Sequence, residues 1–113
     1  MSTLTLEQAN AFMIRLLTKM SQAGGSDLFI AADFPPSMKA NGEMQPMSGQ
    51  TLSGEVTAQL AQSIMNDKQR EEFARELECN FAINVPNVSR FRVNVFVQQG
   101  YVGMVIRTIA AEI

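Results

Sequence analysis

The chain contains no histidine. That absence excludes most zinc sites and most catalytic schemes in which an imidazole activates serine or cysteine. Cysteine occurs once, at Cys79, so no internal disulfide can form, in keeping with a reducing cytosol. Without an imidazole to activate it, Cys79 reads as a structural thiol. It shares parity with Phe81, Ile83 and Val85, which points it at the core. No stretch approaches the roughly 20 apolar residues that span a bilayer. The opening segment MSTLTLEQAN lacks the basic and apolar regions of a secretory signal. A basic excess is also missing. The net charge is −2, against the electrostatic footprint of a duplex or acidic-membrane binder, and no nucleic-acid partner is expected. There is no GxxxxGK[ST] loop, no metal-ligand spacing and no pair of carboxylates placed for acid–base work. Gly24-Gly25 follows a helix and precedes a strand, the reverse of a phosphate-cradling loop, and reads as a helix stop.

What is present suits one globular domain over residues 1–113, with 46% apolar and 18% charged residues. Leu6, Ala9, Phe12, Met13, Leu16, Leu17 and Met20 recur at helical spacing, which predicts a helix from Thr5 to Met20. Thr5 and Gln8 form a capping box at its start. Asp27 to Ala32 reads as a strand with Leu28 and Ile30 inward, broken at Phe34-Pro35-Pro36. Asn41-Gly42 marks a hairpin between Ser37–Ala40 and Glu43–Met47, because both turn residues must take positive φ. Ser53 caps a helix from Gly54 to about Met65. Asn66 with Gln69 caps another that runs to about Leu77, with Phe73 and Leu77 inward. Its outer face mixes Asp67, Glu71, Glu72 and Glu76 with Lys68, Arg70 and Arg75, the pattern of a solvated surface. Of eight methionines, Met13, Met20 and Met104 fall at core positions.

The final third reads as a three-strand meander from Glu78 to Ile109, turning at Pro86-Asn87 and near Gln98-Gln99-Gly100. In its middle strand Phe91, Val93, Val95 and Val97 alternate with Arg90, Arg92 and Asn94. One face is therefore apolar, and the other carries two guanidinium groups about 7 Å apart. Such a pair suits an anion, phosphate above all, since guanidinium binds it through two hydrogen bonds. It also suits the solvated face of a half-buried sheet. The order α-β-β-β-α-α-β-β-β with short turns predicts an α+β domain, an antiparallel sheet of about six strands with three helices. The first helix is expected to pack on the sheet through Phe12, Leu16 and Met20. The chain ends abruptly at Ile109-Ala110-Ala111-Glu112-Ile113, as a fragment would.

Six segments, in this order, resemble the N-terminal domain of the PilT/PilU family, the hexameric ATPases that retract type IV pili. They are GGSDLFI (from Gly24), PPSMKANGEM (from Pro35), IMNDKQREEF (from Ile64), ECNFAI (from Glu78), SRFRVNVF (from Ser89) and VGMVIRTI (from Val102). ECNFAI and VGMVIR lean toward the PilU branch. The resemblance implies a PAS-like fold. It also implies an absent C-terminal RecA-like domain that carries the phosphate loop, the acidic metal residues and the catalytic histidine. ATP and Mg2+ would be bound by the full-length protein, and neither by this chain alone. The nucleotide would lie at the seam between the domains, with Arg90, Arg92 and Arg107 approaching it. Partners implied are the RecA-like domains of its own and neighbouring subunits in a homo-hexamer, and the pilus machinery at the inner membrane, reached from the cytoplasm. Twitching motility would be the process served. The residues alone also allow a free-standing PAS-like module that binds a ligand or partner, and the equivalent domain of a pilus-extension or type II secretion ATPase.

Overall fold

A computed structural model describes residues 3–109. The reading of the chain's end as a fragment falls on residues 110–113, outside the described residues.

Local chemistry sets where each helix begins. In α1 (Leu6–Gln22), Thr5 Oγ1 accepts from Gln8 N–H at 3.0 Å and Gln8 Oε1 accepts from Thr5 N–H at 2.9 Å. The same reciprocal box, Asn66 with Gln69 at 2.8 and 2.9 Å, opens α3 (Asp67–Glu76). Ser53 accepts from Val56 N–H at the start of α2 (Gly54–Ile64). Each bond satisfies an amide that the first helical turn would leave without a partner. Arg70 of α3 donates twice to the Gln62 carbonyl, at 3.1 and 2.8 Å. That places a cation at the negative end of α2 and fixes the corner between the two helices.

Six strands follow the turns: β1 (Asp27–Ile30), β2 (Ser37–Ala40), β3 (Glu43–Pro46), β4 (Glu78–Val85), β5 (Ser89–Gln98) and β6 (Tyr101–Ile109). Asn41 and Gly42 take φ of 54° and 77°, as the β2–β3 turn requires; Gln99 and Gly100 do the same between β5 and β6. The strands form one sheet in the order β3-β2-β1-β6-β5-β4, antiparallel throughout. This is the α+β arrangement and element order expected. The crossover through α2 and α3 carries the chain from one sheet edge to the other. β6 then returns to the centre beside β1.

One face of the sheet holds the core. Leu28, Ile30, Phe91, Val93, Val95, Met104 and Ile106 are all buried there. α2 lies over β6, α1 packs beside α2 and against β1, and α3 covers β4. Two close approaches depend on glycine. A Cβ on Gly103 would stand 2.9 Å from the Phe96 ring, and one on Gly54 2.2 Å from the Tyr101 ring. Phe96 thus lies across the centre of the sheet, and Tyr101 rests on the start of α2.

Four apolar assignments are corrected. Phe12 is only half-buried, because α1 turns Ala9, Met13, Leu16, Leu17 and Met20 inward and leaves Phe12 on its flank under the Arg15 guanidinium, 5.7 Å from the ring centre. Leu6, the first helical residue, is 50% exposed, although α2 reaches that end of the helix and Gln59 Oε1 accepts from the Leu4 N–H. Leu77 is 57% exposed rather than inward. It is the C-cap of α3 at φ 59°, and a left-handed residue leaves the helical phase that placed Phe73 in the core. Val97, at the end of β5, lies beyond the helices and is exposed. Phe81 and Ile83 are half-buried, as edge-strand residues are when only part of one helix covers them.

Candidate functional site

The opposite face of the sheet carries no helix, and the register writes one continuous row across it. Ala82 stands opposite Arg92, Arg92 opposite Arg107, Arg107 opposite Asp27, Asp27 opposite Lys39, and Lys39 opposite Met44. Two guanidinium groups are therefore direct cross-strand neighbours. Like charges so placed repel, at a cost of roughly 0.2–1 kcal/mol.

Asp27 relieves part of that repulsion. Arg107 Nε–H donates to Asp27 Oδ2 at 3.3 Å. The Asp27 side chain is 13% exposed and that of Arg107 70%. In so wet a setting the pair contributes about 0–1 kcal/mol, so its consequence is geometric. The contact through Nε anchors the Arg107 side chain to Asp27, with Arg92 its cross-strand neighbour on the other side. Among the described residues Arg92 makes no ion pair.

Arg92 and Arg107 share a depression of about 330 Å³ with Asn80, Asn94 and Val105. Asn80 and Asn94 are cross-strand partners in the next row, beside Val105. Asn94 Oδ1 is buried and has no hydrogen-bond partner. An acceptor in that condition costs on the order of 1–3 kcal/mol until a donor reaches it. Arg90 lies one row further along, opposite Asn84 and Ile109, and does not line this depression. The structure therefore joins Arg92 to Arg107 more directly than to Arg90.

Strand parity finds Arg90, Arg92 and Asn94 on one face, but it carries no sign that Asn94 is buried. It cannot find Asp27 or Asn80 as neighbours, because those depend on which strands pair. Among the described residues no group of histidine, cysteine, aspartate and glutamate could hold a metal ion. Adjacent guanidinium groups have the chemistry to take an anion such as a phosphate and offer no ligand to a cation such as Mg2+. Cys79 lies on the core side, buried and unpaired in any disulfide. Burial first, and then the neighbouring Glu72 carboxylate, push its thiol above the ordinary range.

No family model matches the chain. Individual relatives do. It is 48% identical to the type IV pilus ATPase PilU of Pseudomonas aeruginosa over 88% of its own length and 26% of that protein's. It is 39% identical to the type IV pilus retraction ATPase PilT of the same organism, over 87% of this chain and 28% of the relative. Its fold superposes on a crystal structure of the pilus retraction motor PilT with bound ADP at a TM-score of 0.83 and 28% identity, over 89% of this chain and 30% of that one. The chain thus spans about a quarter of the length of the curated relatives it matches. With that level of identity over nearly the whole chain, and an α+β fold that matches the PilT structure, the protein corresponds to the N-terminal domain of the PilT/PilU family.

Proposed function

We infer that this chain is the N-terminal domain of a type IV pilus retraction ATPase and that its open sheet face completes the nucleotide site. The carrying observation is the direct opposition of Arg92 and Arg107 in one depression, with Asp27 holding Arg107 by Nε. Two guanidinium groups on neighbouring strands suit a polyphosphate, which removes their mutual repulsion as it binds. A C-terminal RecA-like domain would supply the phosphate loop, the acidic residues that hold Mg2+ and the catalytic histidine, and this chain by itself would not hydrolyse ATP. Arg92 and Arg107, with Arg90 one row away, would meet the phosphates when the two domains close on the seam. A rigid strand is a precise mount for such groups, and charge delivered to a transferring phosphoryl group can raise the rate by about 10³-fold or more. Closure would also exclude water and turn nucleotide state into a rigid-body movement. The working unit would be a hexamer in the cytoplasm, at the inner-membrane pilus machine, driving the retraction behind twitching motility.

The test is steady-state ATPase activity of the full-length protein carrying Arg92→Ala, beside a thermal melt. Activity should fall by about 10³-fold. A folded hexamer that keeps its rate within twofold would return Arg92 to the status of a solvated surface residue. Calorimetry on this chain alone should show poor ATP affinity; micromolar binding would instead favour a free-standing ligand module.

A further inference from the structure

The methionines that the core does not absorb lead to a second surface, remote from the arginine face. α1 leaves one flank uncovered, and the chain after β3 runs alongside it. Two adjoining hollows of about 410 Å³ each lie between them. The first is bounded by Phe12, Ile14, Leu16 and Met47, the second by Ala23, Met38, Pro46 and Met47. Lys19 and Met47 border both, so the two form one trough. From Phe12 to Ala23 it follows α1 for about 16 Å at a rise of roughly 1.5 Å per residue, three turns of helix.

Its walls are mainly apolar, and two of them are methionines, whose flexible thioethers adapt to the shape of an occupant. Its charged border has one sign. Arg15 and Lys19, one turn apart on α1, are exposed. Among the described residues neither pairs with a carboxylate; Arg15 rests on the Phe12 ring. Two unneutralised cations beside an apolar trough stand out in a chain of net charge −2.

We propose that this trough is a docking site for an acidic amphipathic helix of a different protein. Such a helix would set a three-turn apolar stripe between Phe12 and Met47, with carboxylates one turn apart facing Arg15 and Lys19. An extended strand is a poor occupant: the nearby sheet edge, β3, opens with Glu43 and closes with Pro46, both of which blunt strand addition. A second copy of this chain does not supply the helix either. Its acidic helix α3 has already buried Phe73 and presents charged residues outward.

The probe is a fluorescent 14-residue helical peptide with leucines at positions one turn apart and flanking glutamates. Its control carries lysine at each glutamate. Anisotropy with the 113-residue chain at low ionic strength should show saturable binding of the glutamate peptide only. The paired change Arg15→Glu with Lys19→Glu should weaken it at least about tenfold and transfer the preference to the lysine peptide, as reversed complementarity requires. Met47→Glu should abolish binding of the glutamate peptide. If that variant melts early, the double charge reversal, at two exposed positions, still decides the matter. Five results would overturn the proposal. They are absent saturation, equal binding of the two peptides, indifference to the charge reversal, self-association abolished by Met47→Glu, and Arg15-dependent sedimentation with anionic vesicles.

Discussion

The two faces of the one sheet are made by the same strands and do opposite things. On β5, Phe91, Val93 and Val95 turn to the helices and are wholly buried. Arg92 and Asn94, one residue away in each case, turn to the open side. The covered face gains from every contact it makes: burial removes apolar area from water, and close packing adds dispersion. The open face carries two costs that the described residues of this domain offset only in part. Arg92 opposes Arg107, and Asn94 Oδ1 has no donor. Natural chains keep such local conflicts where a ligand or partner resolves them. The contrast separates residues that hold the domain together from residues that wait for something outside it.

Neighbouring substitutions on β5 test that separation most sharply. Phe91→Ala opens a cavity at a fully buried site and should cost about 3–5 kcal/mol in chemical denaturation. Arg92→Ala should change stability by less than about 0.5 kcal/mol, while in the full-length ATPase it carries the rate loss described above. If Arg92→Ala destabilises as much as Phe91→Ala, the open face is structural and the division between faces fails.

A smaller effect of opposite sign should appear at Asn94. Valine there introduces a strand-favouring, β-branched side chain and removes the orphan acceptor, so Asn94→Val should stabilise the isolated domain by about 1 kcal/mol. A loss of stability in the same measurement would mean that the carbonyl already has a partner, such as a bound water, and that the conflict on this face is confined to the arginines.

The smallest expected effect lies on the covered face and depends on pH. Burial and Glu72 raise the Cys79 pKa in the folded state. The folded protein therefore holds its proton to higher pH than the unfolded chain, whose thiol titrates near about 8.5. The stabilisation is complete below that value and is lost as pH rises toward the folded pKa. Between pH 8 and 10 the wild type should lose more melting temperature than Cys79→Ala. Parallel slopes for the two proteins would show that the thiol makes no such contribution.

Much of this molecule was legible without coordinates, and the legible parts share a short range. The capping boxes at Thr5 and Asn66, the Asn41-Gly42 turn and the alternation along β5 each depend on residues within a few positions. Leu77 shows where that range ends. Periodicity placed it inward, but the backbone at the end of α3 left the helical region and turned it out. Phe12 shows another limit, since a stripe on a helix does not say how much of its width the neighbours will cover. At the candidate site, parity along β5 set Arg90 and Arg92 on one face. Arg107 came only with the family resemblance.

The sequence by itself determined the elements of the described residues, their order and the two-sided character of β5, because 3.6-residue and two-residue periods, caps and tight turns are local consequences of backbone geometry. Only the tertiary structure decided that β6 returns to lie between β1 and β5. That pairing joins residues 80 positions apart. No local energy specifies such a partner; it follows from the two hairpin systems burying their apolar faces under the same helices. From it come the opposition of Arg92 and Arg107, the grip of Asp27 on Arg107 Nε and the depression they share with Asn94.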